Sequence, residues 1–308
     1  MSYMLDNKLV IAISSRALFD LEEENLTFET DGLEAYYKYQ LERESTILSK
    51  GVGFRLVKNL LRLNEGNGEK IVEVIIMSRN NAATSLRITK SIEHYGLDIT
   101  RSAWSGGADI SKYLKPFKVD LFLSANSKDV QTATNSGTSA AMILHSKDKP
   151  AGYEEFDDEQ GNVKIAFDGD AVLFSDESER IYQSQGLEAF LKHEMENAQK
   201  PLPEGPFAKL LKTLSSIQNG PAKNANMLRT ALITARNSPA HERVIRTLNA
   251  WNIRIDETFF LGGVEKYEVV KAFEADIFFD DQLVHLDKTM NFTPSAKVPN
   301  LMVEAKES

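Results

Sequence analysis

The sequence contains no cysteine among its 308 residues, which excludes disulfide bonds and thiolate metal sites. A divalent metal would therefore need oxygen or imidazole ligands, and the five histidines show no metal-ligand spacing with one another. No run approaches the roughly 18 continuous apolar residues of a membrane helix, and no signal peptide is visible. We therefore expect a cytoplasmic protein with no membrane partner.

Basic residues are fewer than acidic ones: the chain has 36 lysines and arginines and 45 aspartates and glutamates, which gives a net charge of −9. Binding to a nucleic-acid polymer needs a basic face that neutralises phosphates, so this class of partner is not expected. A small phosphate ester is still compatible with the charge, because a metal ion and a few local cations can reverse the field inside one cleft.

The chain repeats itself at an interval of about 155 residues. The matching segments are 8–13 with 163–167, 32–36 with 186–190, 79–80 with 236–237, 87–95 with 243–251, 105–107 with 261–263 and 120–123 with 276–279. Independent coincidences would give scattered intervals, whereas these agree closely. The sequence therefore predicts two domains of similar fold, residues 1–155 and 156–308.

Each half alternates short apolar runs with segments of helical periodicity, which predicts an α/β fold with a parallel sheet covered on both faces. In the second half we expect strands at 163–167, 228–233, 257–261 and 275–279, and helices near 206–217, 239–251 and 265–273. Ligands of such sheets bind outside the carboxyl ends of the strands. Functional side chains should therefore follow the apolar runs directly.

Polar and charged residues do follow the predicted strands of the second half. They are Asp168 and Asp170 after the first strand, Thr234, Arg236 and Asn237 after the second, Lys266 after the third, and Asp280 and Asp281 after the fourth. Each group alone has a simpler explanation as a solvated turn, a helix cap or a surface lysine. Together they place carboxylates, a hydroxyl and an ammonium at one edge of one sheet.

This order resembles the four motifs of phosphatases of the haloacid dehalogenase (HAD) superfamily. The run from Phe167 to Arg180, the run from Ala12 to Phe19 and the segment from Ile277 to Gln282 are similar to the cytosolic type I 5′-nucleotidases. The resemblance spans roughly residues 8–299. It implies two tandem HAD-like repeats with Rossmann-like parallel sheets, the second with a small inserted cap near 176–205.

The resemblance also implies roles for the second half. Asp168 would be the nucleophile and Asp170 the general acid and base, with Thr234 and Lys266 binding the phosphoryl oxygens. Mg²⁺ would be held by the Asp168 carboxylate, the Asp170 backbone carbonyl and either Asp280 or Asp281; the sequence does not choose between the last two. The expected reaction is hydrolysis of nucleoside 5′-monophosphates such as AMP or IMP through an aspartyl-phosphate. Arg236 and Asn237 are candidate substrate or effector contacts.

The first half lacks every one of these carboxylates, since Ser14 and Arg16 stand opposite Asp168 and Asp170. One active site, in the second half, is therefore expected. Two roles remain open for the first half. In the first, a nucleotide effector or part of the substrate binds to Ser14, Arg16 and Arg79, where no aspartate repels it. In the second, this half is a scaffold or a homo-oligomer contact.

Two other functions fit the same residues less well. A HAD phosphatase for another small phosphate ester, such as a sugar phosphate, would keep the whole constellation. A non-catalytic nucleotide sensor would have no need of the nucleophile Asp168. A NAD-binding protein is disfavoured because no Gly-x-Gly-x-x-Gly loop follows the first strand of either half.

Overall fold

The computed structural model describes residues 4–146 and 161–300, where ten strands form one sheet. The first five strands are β1 (Leu9–Ile13), β2 (Val72–Ser78), β3 (Arg101–Trp104), β4 (Leu121–Ser124) and β5 (Ser139–Ile143). The other five are β6 (Val163–Phe167), β7 (Leu228–Thr234), β8 (Glu257–Phe260), β9 (Ile277–Asp280) and β10 (Ser295–Lys297). The predicted domain boundary at 155/156 lies outside the described residues.

The strands lie in the order β3-β2-β1-β4-β5-β10-β9-β6-β7-β8. All neighbours are parallel except β5 and β10, which pair antiparallel at the centre of the sheet. Each group of five strands therefore has the same internal order, and the two groups meet through this one antiparallel pair. The sequence predicted the α/β class and the parallel strands, but it did not predict that both halves share a continuous sheet.

Ten α-helices flank the sheet in the described residues. They are α1 (Ser15–Leu18), α2 (Glu22–Glu42), α3 (Phe54–Arg62), α4 (Leu86–His94), α5 (Ser127–Asn135), α6 (Glu177–Glu196), α7 (Ala208–Gln218), α8 (His241–Ala250), α9 (Lys266–Phe273) and α10 (Leu283–Thr289). The helices predicted in the second half are confirmed to within two residues at each end. None of the helices in these residues is long and apolar enough to cross a membrane.

The alternation of side chains along each strand divides the core into two layers. Leu9, Ile11 and Ile13 of β1 belong to one large apolar cluster that also takes in Phe167 of β6 and helices α3, α4, α7 and α8. On the opposite face, each half has its own smaller cluster. Both faces are thus covered, which explains why β1 is apolar at every position and fully buried.

Helices α2 and α6 are both interrupted by a glycine. Gly32 has φ 84° and Gly186 has φ 81°, and neither residue has helical backbone angles. Because this region of φ favours glycine, the two kinks are encoded locally by the sequence. The segment predicted as a cap, 176–205, consists of α6 and the residues that follow it. Residues 22–50 likewise form the kinked helix α2 and a following segment in the first half.

The strand registers correct one part of the predicted repeat. Leu9 pairs with Val72 in the first half as Val163 pairs with Leu228 in the second. Counting along β2 and β7 from these pairs sets Ser78 opposite Thr234 and Asn80 opposite Arg236. The predicted match of Arg79-Asn80 with Arg236-Asn237 was therefore wrong by one residue.

The core shared by both halves yields a stability prediction. Leu211 of α7 is fully buried in the large cluster, whereas Leu33 of α2 is 66% exposed. Leu211→Ala should lower the free energy of unfolding by about 2–5 kcal/mol through lost burial and the cavity left behind. The matched Leu33→Ala change should alter it by less than about 0.5 kcal/mol. Urea unfolding of both variants measures this, and equal effects would contradict the core assignment.

Candidate functional site

Three adjacent strands, in the order β9-β6-β7, carry the predicted site at their carboxyl ends. Asp168 follows β6, Thr234 ends β7 and Asp280 ends β9. Because parallel strands end at the same edge, these three residues lie side by side although they are far apart in sequence. All three are buried, with exposed fractions of 4% or less.

The chain leaves β6 through a tight turn at Gly169–Leu173. The backbone N–H of Asp168 donates to the Phe279 carbonyl at 2.8 Å, and that of Phe174 donates to the Gly169 carbonyl at 2.9 Å. A Cβ at Gly169 would lie 3.3 Å from the hydroxyl oxygen of Thr234. Glycine therefore lets this turn pass close to Thr234, whose hydroxyl lies beside the residue that follows Asp168.

Lys266, the first residue of α9, joins two of the carboxylates. Its Nζ lies 2.8 Å from Asp168 Oδ1 and donates to Asp280 Oδ2 at 2.9 Å. Burial alone would lower the pKa of this ammonium, but the charges of Asp168 and Asp280 outweigh it and raise the pKa. The lysine is therefore a permanent cation, 4% exposed, between two acids.

Asp281 adds a third carboxylate to the group. One carboxylate oxygen from each of Asp168, Asp280 and Asp281 lies within 4.8 Å of the others. Burial raises the pKa of Asp281 to about 8, and the neighbouring Asp168 charge adds to that rise. Burial also raises the pKa of Asp168, against the opposing influence of Lys266. When all three acids are ionised they outnumber the single ammonium, which is why burial and mutual repulsion raise these pKa values.

This donor set fits a hard divalent cation, which prefers oxygen ligands. Asp280 has both oxygens engaged, since Oδ2 accepts from Lys266 and Oδ1 accepts from the Gln282 N–H at 2.8 Å. By contrast, Asp281 Oδ1 is buried and has no hydrogen-bond partner among the described residues. A buried oxygen without a partner is costly unless an ion or a water satisfies it.

Asp170 belongs to a different cluster from the other acids. Its carboxylate accepts two hydrogen bonds from Arg236, Nε to Oδ2 at 2.8 Å and Nη2 to Oδ1 at 2.6 Å. Arg236 in turn donates from Nη1 to Glu194 of α6. From the sequence, Arg236 was expected to contact substrate or effector. Glu194 was not expected at this site, because no local spacing links α6 with the end of β7.

The remaining candidates lie apart from the carboxylate group. Asn237 is exposed on the loop after β7. Ser14 caps α1 by accepting from the Ala17 N–H at 3.3 Å. Arg16 donates to Glu22 at 2.7 Å, and Arg79 pairs with Asp129. The expectation that no aspartate stands beside these arginines was therefore wrong for Arg79, and Arg16 is paired with a glutamate.

A cavity of about 670 Å³ lies at the amino ends of β1 and β4, the edge opposite to Asp168. It is lined by five lysines: Lys8, Lys115, Lys118, Lys209 and Lys212. Four of them already have oxygen partners, namely the Lys70 carbonyl, Asp6, Asp120 and Glu204. The acids, the hydroxyl and Lys266 at the carboxyl edge are therefore the better candidate for chemistry.

The raised pKa of Asp281 gives the metal-free protein a defined pH dependence. An acid with a folded-state pKa of about 8 and an unfolded value near 3.9 holds its proton only in the native state between those pH values. Stability should therefore fall as pH rises through this window. Asp281→Asn should stabilise the metal-free protein at about pH 9 and make no difference below about pH 4.

Thermal unfolding with a chelator, compared between wild type and Asp281→Asn across pH, measures this. With excess Mg²⁺ at high pH, the wild type should become the more stable of the two proteins, because a ligand that binds the native state raises its stability. A wild-type protein that gains stability with pH while Asp281→Asn does not would contradict the assignment.

The sequence profile of the 5′-nucleotidase family matches residues 1–305. A curated relative, cytosolic 5′-nucleotidase 1B of Homo sapiens, is 38% identical over 293 residues, which cover 91% of this chain and 47% of the relative. The chain thus spans about half the length of the curated relative it matches. No solved structure matches the chain. The whole-chain match and this identity establish that the protein belongs to the 5′-nucleotidase family.

Proposed function

We propose that this chain hydrolyses nucleoside 5′-monophosphates, such as AMP or IMP, to a nucleoside and phosphate. Membership in the 5′-nucleotidase family supports the reaction and the class of substrate. The observation that carries the proposal is the buried Asp168 carboxylate, held 2.8 Å from Lys266 beside Asp280 and Asp281. This pairing of an acid nucleophile with a fixed cation is suited to a phosphate ester.

Asp168 is the nucleophile in this proposal. Its carboxylate attacks phosphorus and the ester bond to the ribose 5′-oxygen breaks, which leaves an aspartyl-phosphate that water then hydrolyses. Lys266 holds one of the carboxylate oxygens, so the side chain is oriented before the substrate arrives. An anionic nucleophile and an anionic ester repel each other, and the buried ammonium reduces that repulsion.

Mg²⁺ fits the acidic group for the reasons of charge and donor chemistry given above. We propose Asp168 and Asp281 as its carboxylate ligands, with the Asp170 backbone carbonyl as the third protein ligand that the family resemblance implies. Asp280 would instead keep Lys266 in place, since both of its oxygens already accept hydrogen bonds. When bound, the ion supplies positive charge that neutralises the phosphoryl group and the carboxylates.

Thr234 and Lys266 bind the phosphoryl oxygens in this proposal. Both are buried at the carboxyl edge, with exposed fractions of 1% and 4%, and the Thr234 hydroxyl lies beside the turn that carries Asp168. Donors fixed in advance stabilise the charge of the transition state without reorganising, and one such donor typically contributes about 3–4 kcal/mol.

Asp170 is the general acid and base. In the first step it protonates the departing ribose oxygen, and in the second it accepts a proton from the attacking water. Its carboxylate is not part of the Asp168 group, because Arg236 holds it separately. This separation supports different roles for Asp168, the nucleophile, and Asp170, the acid and base.

The first half is proposed to be a degenerate HAD-like repeat, and α6 with the following segment to be the cap of the second. The equal strand order of the two halves supports the first idea. Ser14, Ser78 and Ser124 occupy the sheet positions of Asp168, Thr234 and Asp280, so the first half has no counterpart of the carboxylate group. Nucleotide effectors and homo-oligomer contacts remain candidate roles for this half.

Asp168→Asn tests the nucleophile. The amide keeps the size of the side chain but cannot form the covalent intermediate, so kcat should fall by more than about 10⁴-fold. Phosphate release from AMP and IMP with Mg²⁺ is the assay, and circular dichroism checks the fold. Ser124→Ala, at the equivalent edge of the first half, is the control and should keep wild-type kcat. A variant at position 168 with substantial turnover would refute the assignment.

Metal dependence and substrate class are tested together on the wild-type protein. Phosphate release is measured from AMP, IMP, their deoxy forms and a sugar phosphate, with Mg²⁺ or with a chelator. We expect turnover of the nucleotides that disappears with the chelator and returns when Mg²⁺ is added in excess. Faster release from the sugar phosphate would favour the other phosphatase function, and release in the chelator would contradict the metal site.

A further inference from the structure

We propose that Arg236 and Glu194 are positioning residues that hold the carboxylate of Asp170 in the orientation needed for acid and base catalysis. The inference rests on the proposed function, because it concerns how the general acid is held. Arg236 contacts Asp170 through Nε and Nη2, which donate to the two carboxylate oxygens at 2.8 and 2.6 Å. Two parallel hydrogen bonds from a planar guanidinium fix the direction as well as the place of a carboxylate.

Arg236 is itself rigidly held. Its third nitrogen, Nη1, donates to Glu194 Oε2 at 2.5 Å and to the Ala240 carbonyl at 3.4 Å. The guanidinium carbon lies 5.4 Å from the ring centre of Phe190, and the residue is only 4% exposed. All three guanidinium nitrogens thus have oxygen partners inside the protein. Arg236 is arranged to hold Asp170 and not to receive the phosphate of a substrate.

Glu194 anchors this arrangement to α6. Its Oε1 accepts from Ser178 at 2.8 Å and from Arg243 Nη1 at 3.0 Å, while Oε2 accepts from Arg236. The residue is 1% exposed. Ser178 precedes the kink of α6 and Glu194 follows it, so a single carboxylate ties both parts of the helix to the end of β7. Asp170 is thereby connected to α6 through two ion pairs.

The first half supplies an internal comparison. Arg87 occupies the position of Arg243, and its Nε donates to the Thr46 carbonyl as that of Arg243 donates to the Lys200 carbonyl. The counterpart of Arg236 is Asn80, and the counterpart of Glu194 is Gln40. Arg87 donates to Gln40 at 3.4 Å and also pairs with Glu24, which occupies the position of Ser178. These contacts join α2 to α4, and the Tyr36 hydroxyl joins α2 to Asn80 after β2 at 3.4 Å. The first half thus connects the same elements without the second arginine.

This difference separates a functional role from a structural one. Both halves have a buried arginine on the helix after the second strand, so that residue belongs to the architecture. The pair formed by Arg236 and Glu194 occurs only in the half that has an aspartate at position 170. In the first half, Arg16 stands at that position and bonds to Glu22 instead. The pair therefore accompanies the general acid and is not required by the fold.

The test compares two substrates that differ in their need for an acid. A ribose 5′-oxygen must be protonated as it leaves, whereas p-nitrophenolate departs as a stable anion. Arg236→Lys keeps the charge but loses the two-pronged contact, so kcat for AMP should fall by about 10²-fold, with little change in KM. Glu194→Gln should lower it on the order of tenfold. On p-nitrophenyl phosphate, the comparison uses kcat/KM, which reports formation of the aspartyl-phosphate and not its hydrolysis, where Asp170 acts as a base with either substrate. This kcat/KM should change by less than about threefold for both variants.

Glu24→Gln is the matched control. It alters the ion pair with Arg87, buried to a similar degree in the first half, and should lower thermal stability without a difference between the two substrates. Adding Arg236→Lys to Asp170→Asn should cost no further kcat on AMP, because the acid it positions is already absent. Should Arg236→Lys fail to fold, the same comparison is made with Glu194→Gln.

Three results would overturn the inference: equal losses of kcat/KM on both substrates, no loss on either, or a full additional loss in the Asp170→Asn background. These results are distinguishable from failure of the proposed function. A wild-type protein that hydrolyses neither ester, or an Asp168→Asn variant that remains active, overturns the proposed function and this inference with it. Wild-type turnover that depends on Asp168 but lacks the substrate-dependent loss overturns the positioning role alone.

Discussion

The contact of Lys266 with Asp168 and Asp280 is the interaction on which the rest of the site depends. Three carboxylates meet at the edge of the sheet within 4.8 Å of one another, an arrangement that would repel itself in a buried setting. The ammonium sits 2.8 and 2.9 Å from two of them and is itself too buried to exist without them. The ammonium and the carboxylates thus offset the cost of burying one another. Because the carboxylates outnumber the ammonium, the group also favours binding of a cation.

The sheet makes this concentration of charge achievable. Strands β6, β7 and β9 are neighbours, so residues more than a hundred positions apart meet at one edge without any long loop. The apolar strands below provide a rigid base, since their side chains are buried on both faces. The first half has the same strand order but places serines at this edge. The fold is thus compatible with both a charged and an uncharged edge, and the side chains after the strands decide the charge of that edge in each half.

The sequence was informative where function follows directly from local order. Apolar runs predicted the strands, and the residues after them, Asp168, Thr234, Lys266 and Asp280, are the ones that meet. It was uninformative where contacts depend on distant parts of the chain. Strand β10 is only three residues long and has no apolar pattern, so neither it nor the antiparallel junction of the two halves was foreseen. Arg236 was noticed, but its partners were not, because Glu194 lies on a helix 42 residues earlier.

The central claim is that Asp168 becomes covalently phosphorylated. It is tested most directly by mixing the protein with AMP and Mg²⁺, quenching with acid within milliseconds, and reducing the product with borohydride. Reduction of an aspartyl-phosphate leaves homoserine, which peptide mass spectrometry locates in the chain. The account predicts homoserine at position 168 and nowhere else. Turnover of AMP without any modified residue, or modification at Asp170, Asp280 or Asp281, would contradict it.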